Sequence, residues 1–211
     1  GGLSGVCNST RMFSLRGAQF GQRFLTERLG DPVDARLVRE LRPHDFAGAF
    51  GHRVGATGRV IAFEANPDNA QLVARSVARN GLDNLTILPL AVADRSALLR
   101  YVAAQGTNGA VASLDADARG GAASDATQLV QAVSLDQLRS LLGRIDVLQM
   151  DVEGAEGLVL RGARELLAAS RPTILAELSL GQLERTSRMT GEETLGLLRD
   201  LGYAISVLRF D

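Results

Sequence analysis

From residue 59 onward the apolar positions follow two alternating rhythms, short continuous runs and longer stretches with apolar side chains three and four residues apart. The runs predict strands at Arg59 to Phe63, Leu85 to Leu90, Ile145 to Asp151, Thr173 to Glu177 and Tyr203 to Arg209. The stretches predict helices. One opens at Asn66-Pro67-Asp68, buries Leu72, Val73, Val77 and Ala78, and stops near Asn80-Gly81. A second opens at Val133-Ser134-Leu135-Asp136 and runs to Leu142, a third spans Ala155 to Ala169 and ends before Pro172, and a fourth runs from Gly191 to Leu201. Strand, helix and strand at this spacing predict an α/β fold with a parallel, doubly wound sheet.

Two regions depart from that rhythm. Within an insertion at about 97–133, Ala97 to Ala104 reads as an extra strand, and Gly106 to Thr127 is rich in Gly, Ala, Ser and Asp, as expected of a lid-like loop over a site. Residues 1–33 read as a helical appendage, because Phe20, Phe24 and Leu25 recur at helical spacing, and its Phe residues leave room for a homodimer contact. Asp34 to Leu41, set between Pro32 and Pro43, reads as a helix that starts the main domain, 34–211.

Composition narrows the function classes. With 211 residues, 45% of them hydrophobic, the chain can bury one substantial core, built on Leu, Val, Ala and Ile because aromatics are only 4%. Net charge is −1 with no basic stripe, so neither nucleic acid nor an anionic membrane is an expected partner, and small molecules are. All 23 basic side chains are Arg, which excludes Schiff-base chemistry and a phosphate-binding P-loop, both of which need a lysine amine. Cys7 is the sole cysteine, so no internal disulfide framework is available. No apolar stretch reaches membrane-spanning length and no signal peptide is apparent, so a cytoplasmic protein is expected.

Candidate chemistry sits at the strand ends. Three predicted strands run out onto a carboxylate, at Glu64, Asp151 and Glu177, and ligands of open α/β sheets bind beyond the carboxyl ends of the strands. An acid in the place of Glu64 can accept two hydrogen bonds from ribose hydroxyls; a plain surface carboxylate is the alternative. In Asp151-Val152-Glu153-Gly154-Ala155-Glu156-Gly157 the glycines allow a sharp turn and close packing, and the glutamates fall where a helix dipole favours anions. Asp151 closes a strand expected to be buried on both faces and therefore needs a partner: a substrate hydroxyl, a metal or an arginine.

The stretch Gly58 to Pro67, with Asn80, Asn84, the Asp151-to-Glu156 run, Leu160-Arg161-Gly162-Ala163 and Pro172 to Glu177, resembles the FkbM family of S-adenosylmethionine-dependent methyltransferases over roughly Asp34 to Leu208. The resemblance implies a class I, Rossmann-like methyltransferase fold, mostly parallel with an antiparallel last strand, and O-methylation of a hydroxyl on a sugar-like or natural-product molecule. It also implies S-adenosylmethionine held by Glu64, Asn66, Asp151 and the backbone at Ala91 and Val92, with Gln149, Asn108 and Ser113 toward the acceptor. Asn66 can equally serve to cap the helix after Pro67.

Two departures from the family stand out. Gln149 replaces a lysine usual two residues before the aspartate, and so supplies no positive charge. The family's first strand and the glycine-rich turn after it are missing, and an omitted segment of roughly 10 to 15 residues is expected between Asp45 and Phe46.

Methyl transfer to a weakly acidic hydroxyl calls for a proton acceptor, and Asp151, Glu153 and Glu177 are the candidates. His44 is expected before the first strand, at the end of the sheet away from the ligands, and His52 in the helix or loop that follows, so neither is a natural base. Asp151 and Glu153 are alternatively ligands for a divalent cation, Mg²⁺ or Ca²⁺, while Glu156 reads as structural. Two competing readings remain, a methyltransferase-like binding domain without catalysis and an NAD-dependent oxidoreductase.

Overall fold

A computed structural model describes residues 11–16, 51, 54–55, 57–103, 109–113 and 127–206. Among these residues the main sheet has five strands. In chain order these are β1 (Arg11–Arg16), β2 (Arg59–Phe63), β3 (Leu85–Leu88), β8 (Val147–Asp151) and β9 (Thr173–Ala176), and in space they run β3-β2-β1-β8-β9. β2 pairs parallel with β3, and β8 parallel with β9, whereas β1 is antiparallel to both β2 and β8. Four strands therefore point the same way, and a reversed strand lies between the two pairs.

The predicted strands at 59–63, 145–151 and 173–177 are present, trimmed at their ends. Alternation along β2 explains its central place: Ile61 and Phe63 join one apolar cluster, Val60 and Ala62 the cluster on the opposite face. The first cluster fills the space between the sheet and three helices, α3 (Glu156–Arg161), α4 (Arg164–Ser170) and α6 (Gly191–Asp200), through Leu148, Met150, Val159, Leu167 and Leu198. The second lies toward α1 (Pro67–Arg79), through Val73 and Val77.

Several expectations are corrected. Leu72 and Ala78 are exposed, and the covered stripe of α1 is Ala70, Val73 and Val77, because the helix meets the sheet along a narrow face near its edge strand. The single helix expected over 155–169 is two. Gly162 sits so close to the Ala93 carbonyl that a side chain would collide, and Asp136, from a distant turn, accepts hydrogen bonds from the Glu165 and Leu166 N–H groups at 3.1 and 2.8 Å, starting α4 afresh. The helix expected from Val133 is confined to α2 (Arg139–Leu142), because Ser134 and Gln137 first close a turn on each other. An unforeseen helix, α5 (Leu180–Thr186), follows β9.

Beyond Leu88 the chain leaves the main sheet. β4 (Ala91–Val92) pairs parallel with β7 (Thr127–Val133), β7 pairs antiparallel with β5 (Ala97–Ala103), and β5 pairs antiparallel with β6 (Gly109–Ser113). The region expected to be one strand and a loop thus contributes three strands to a second, four-stranded sheet. Pairing to β5 overrides the weak strand signal of Gly109-Ala-Val-Ala-Ser113, which is the general behaviour of β-propensity.

At the N-terminus, residues 11–16 are a sheet strand instead of part of a helical appendage. Phe20, Phe24 and Leu25, the helix at 34–41 and the Asp45 to Phe46 junction fall outside the described residues. So does most of the last expected strand: Tyr203 to Ser206 are described and are not in a strand, and among the described residues the antiparallel member of the main sheet is β1.

Candidate functional site

The carboxyl ends of β2, β8 and β9 lie along one edge of the main sheet. Glu64 directly follows β2, where its N–H donates to the Leu88 carbonyl at 3.0 Å, and its side chain is only 3% exposed. Glu64 Oε1 accepts the Asn66 N–H at 2.9 Å, and Asn66 Oδ1 in turn accepts the Asp68 N–H at 2.9 Å, capping α1 with Pro67 in its first turn. Asn66 is thereby bound up in ordering the turn and the helix. Ala91 and Val92 lie at the same edge, buried at the start of the second sheet.

Two strand spacings away, about 10 Å at the usual interstrand distance, Asp151 ends β8 and stands in register with Arg11 of β1. Glu177 comes one spacing further, its N–H donating to the Met150 carbonyl at 3.1 Å, and it is exposed. Glu64 and Glu177 therefore mark opposite ends of a single edge, with Asp151 between them.

Past Asp151 the chain turns through Glu153 at φ 51° and Gly154 at φ 92°. A positive φ is uncommon for a glutamate, and such backbone persists only where its surroundings hold it. Here they do. Glu156, buried in α3, accepts the Val152 and Gly154 N–H groups on Oε1 at 3.1 and 3.4 Å. From the far side, Thr186 donates to the Glu153 carbonyl at 3.5 Å and Ser187 to the Gly154 carbonyl at 2.5 Å. Gly154 rests on the backbone of Gln182 with no room for a side chain.

Burial pushes the Glu153 carboxyl above the usual glutamate range; a hydrogen bond from Gln182 opposes that shift, and repulsion from Glu177 adds to it. Burial likewise raises Glu156, against the N–H bonds it accepts from the turn and with a smaller push from Glu153. Glu153 therefore lies close enough to Glu177 to feel its charge, and Glu156 close enough to feel that of Glu153. Glu153 Oε1, Gln182 Oε1 and Gln149 Oε1 are each buried without a hydrogen-bond partner among the described residues.

The remaining sequence candidates scatter. Ser113 ends β6 in the second sheet, opposite Leu99, and Asn108, His44 and His52 lie outside the described residues. Among the described residues no group of three or more His, Cys, Asp or Glu side chains is arranged to hold a metal ion, so the cation reading of Asp151 and Glu153 gains no third ligand. No helix among them is long and apolar enough to cross a membrane. Sequence reasoning missed Gln182, Thr186 and Ser187, because α5 itself was not foreseen; the Leu180 and Leu183 pair after Ser179 was the available signal.

S-adenosylmethionine meets these residues unevenly. A buried carboxylate with one oxygen tied to a backbone N–H matches what a ribose diol requires at Glu64. At the sheet centre, β1 runs opposite to β2 and β8, so no turn leaves its carboxyl end at this edge.

Comparison with known proteins agrees with the residue pattern. A solved structure described as the crystal structure of methyltransferase FkbM from Methylobacillus flagellatus KT is similar at 17% identity and a TM-score of 0.36; the match covers 54% of this chain and 24% of that one. No curated protein matches. The model of the methyltransferase FkbM domain matches residues 17–205, and the chain belongs to that family.

Proposed function

We propose that the chain is an S-adenosylmethionine-dependent O-methyltransferase of the class I, doubly wound type, acting on a hydroxyl of a small sugar-like or natural-product molecule. The observation that carries this reading is the shared edge: a buried Glu64 at one end and the braced Asp151-to-Glu156 turn, with Glu177, at the other. The strand order supports it too, since β2 and β8 flank one central position with β3 and β9 outside them.

The cofactor, when bound, supplies an electrophilic methyl carbon. Glu64 holds the ribose hydroxyls, and Asn66 keeps the Glu64 carboxylate fixed through its N–H. At the other end Glu153 accepts the proton of the acceptor hydroxyl. Its raised pKa makes it a stronger base than an ordinary glutamate, and an acceptor this basic is better matched to neutral pH. Asp151 and Glu177 flank it and position the acceptor by hydrogen bonds to other hydroxyls.

Calorimetric titration with S-adenosylmethionine and with NAD tests the assignment. Binding of the first alone, weakened at least tenfold in Glu64→Gln, is the expected result; binding of NAD alone would replace it with the oxidoreductase reading. A second reading, a methyltransferase-like domain that does not catalyse, is favoured by the reversed β1 at the sheet centre and predicts that neither cofactor binds.

A further inference from the structure

Glu156 takes no part in the mechanism above, yet at 1% exposure it is the most deeply buried carboxyl among the described residues, placed at the first position of α3. Its Oε1 accepts two backbone N–H groups, from Val152 at 3.1 Å and from Gly154 at 3.4 Å, one on each side of Glu153. Its Oε2 is buried too and has no hydrogen-bond partner among the described residues. We infer that Glu156 is the positioning residue for Glu153: one carboxyl oxygen, spanning the N–H groups before and after that residue, sets the direction in which the Glu153 side chain leaves the turn, and needs no charge to do so.

A side chain leaves the backbone in a direction set by the two peptide groups that flank its Cα, and both flanking groups of Glu153 are held. The one before it is tied through the Val152 carbonyl, which accepts the Ala155 N–H at 3.1 Å. The one after it is tied at both ends, its N–H to Glu156 Oε1 and its carbonyl to Thr186 at 3.5 Å. The Val152 N–H, one peptide earlier, goes to the same Glu156 oxygen, so a single atom fastens the entry and the exit of the residue. Without that atom the left-handed φ of 51° at Glu153 would relax toward the commoner negative values. Glu156 has little freedom to follow, because the next residue, Gly157, lies against the Met189 sulfur and Ser187 with no room for a side chain. An ionised carboxylate at this depth would keep part of its charge on Oε2, where no donor meets it, and burial raises its pKa against the two N–H bonds. A neutral group whose oxygen accepts both N–H bonds serves the turn equally well, and a side-chain amide has such an oxygen at the same reach.

Three substitutions in the full chain separate reach, charge and packing. Glu156→Gln keeps the oxygen and drops the charge, Glu156→Met keeps the length alone, and Glu156→Asp keeps the charge on a shorter arm. NMR reads the sign of φ at Glu153, from the strong contact between N–H and Hα that a left-handed residue gives. Amide exchange is read at Val152 and Gly154 against Leu167, whose N–H donates to Ala163 at 2.8 Å in α4. Glu156→Gln should keep the left-handed signature and wild-type exchange. Glu156→Met and Glu156→Asp should lose the signature and exchange about tenfold faster or more at both turn amides, with Leu167 unchanged. A left-handed Glu153 with protected amides in Glu156→Met overturns the inference. A Glu156→Gln protein that behaves like the methionine variant overturns it as well, since the anion would then be the working form. So does failure of both Glu156→Met and Glu156→Asp to fold, since Glu156 would then be a packing residue.

This inference rests on the reading of Glu153 as proton acceptor, and calorimetry on the same samples lets the two fail separately. Absence of S-adenosylmethionine binding by the wild-type chain would sink the proposed function and leave the turn measurements standing. Where an acceptor is turned over, kcat should fall about tenfold or more in Glu156→Met while KM for S-adenosylmethionine stays in place. A raised KM with kcat unchanged would mean that the turn serves the cofactor instead, and would overturn the inference.

Discussion

At the end of β2, Glu64 is fixed by Asn66 and Asn66 by Asp68, each partner two residues along the chain. At the end of β8, Glu153 and Gly154 are fixed by Thr186 and Ser187, 33 residues away, as well as by Glu156 close by. The first turn carries its own instructions, with Asn66 as cap and Pro67 behind it; the second is a junction that exists only after α5 has docked. Local turns cost little to form and can be altered one residue at a time. A docked turn can hold a glutamate at positive φ, but its parts fail together.

The largest expected effect follows from breaking the docked turn. Gly154→Ala puts a methyl group into the Gln182 carbonyl and an alanine at φ 92°, so α5 must move away. Overpacking and backbone strain together should cost about 2–5 kcal/mol, read as a lower midpoint in urea unfolding. Hydrogen exchange should quicken across Leu180–Thr186 as well as at the turn. Loss confined to the turn itself would mean that α5 is held by something other than this contact.

The same contrast explains what the sequence made legible. β2, its carboxylate and the Asn66 cap were readable because each signal is local: an apolar run, an acid, and an N-cap ahead of proline. The Asp151-to-Glu156 run was readable as a motif, but not the left-handed Glu153 or its dependence on α5, since Gln182, Thr186 and Ser187 have no local pattern that ties them to a turn 30 residues earlier. The helix break at Gly162 was hidden for the same reason, because Asp136 caps α4 from a distance. The centre of the sheet was hidden differently. The family resemblance leaves that place without a parallel strand, and Arg11–Arg16, in a segment whose Phe spacing suggested a helix, fills it from the opposite direction.

A middle-sized effect tests the local side of the contrast. Asn66→Ala removes the side-chain acceptor of the α1 cap while keeping the N–H that Glu64 accepts. The expected cost is about 1 kcal/mol in unfolding free energy, with faster exchange in the first turn of Pro67–Arg79 and none at the β8 turn. Exchange that also quickened at Glu153 and Gly154 would show that the two strand ends are coupled and that the contrast is overdrawn.

The smallest effect is one of pH, and it sharpens the docked side. Glu153 has a folded pKa above its unfolded value, because burial and Glu177 disfavour its charge. The native state therefore holds this proton more tightly than the unfolded chain, and the stability that results is complete below the unfolded glutamate pKa and is lost as pH rises through the folded one. Glu153→Gln removes the charge at every pH, so the variant should be the more stable protein at pH 7, by roughly a few tenths of a kcal/mol once screening of this partly exposed group is allowed for. Its advantage should vanish near pH 4, where wild-type Glu153 is itself protonated. Urea midpoints measured for both proteins at the two pH values decide the matter. A variant less stable than wild type at pH 7 would mean that the Gln182 hydrogen bond to the carboxylate outweighs burial and repulsion, and that the turn is built around the anion.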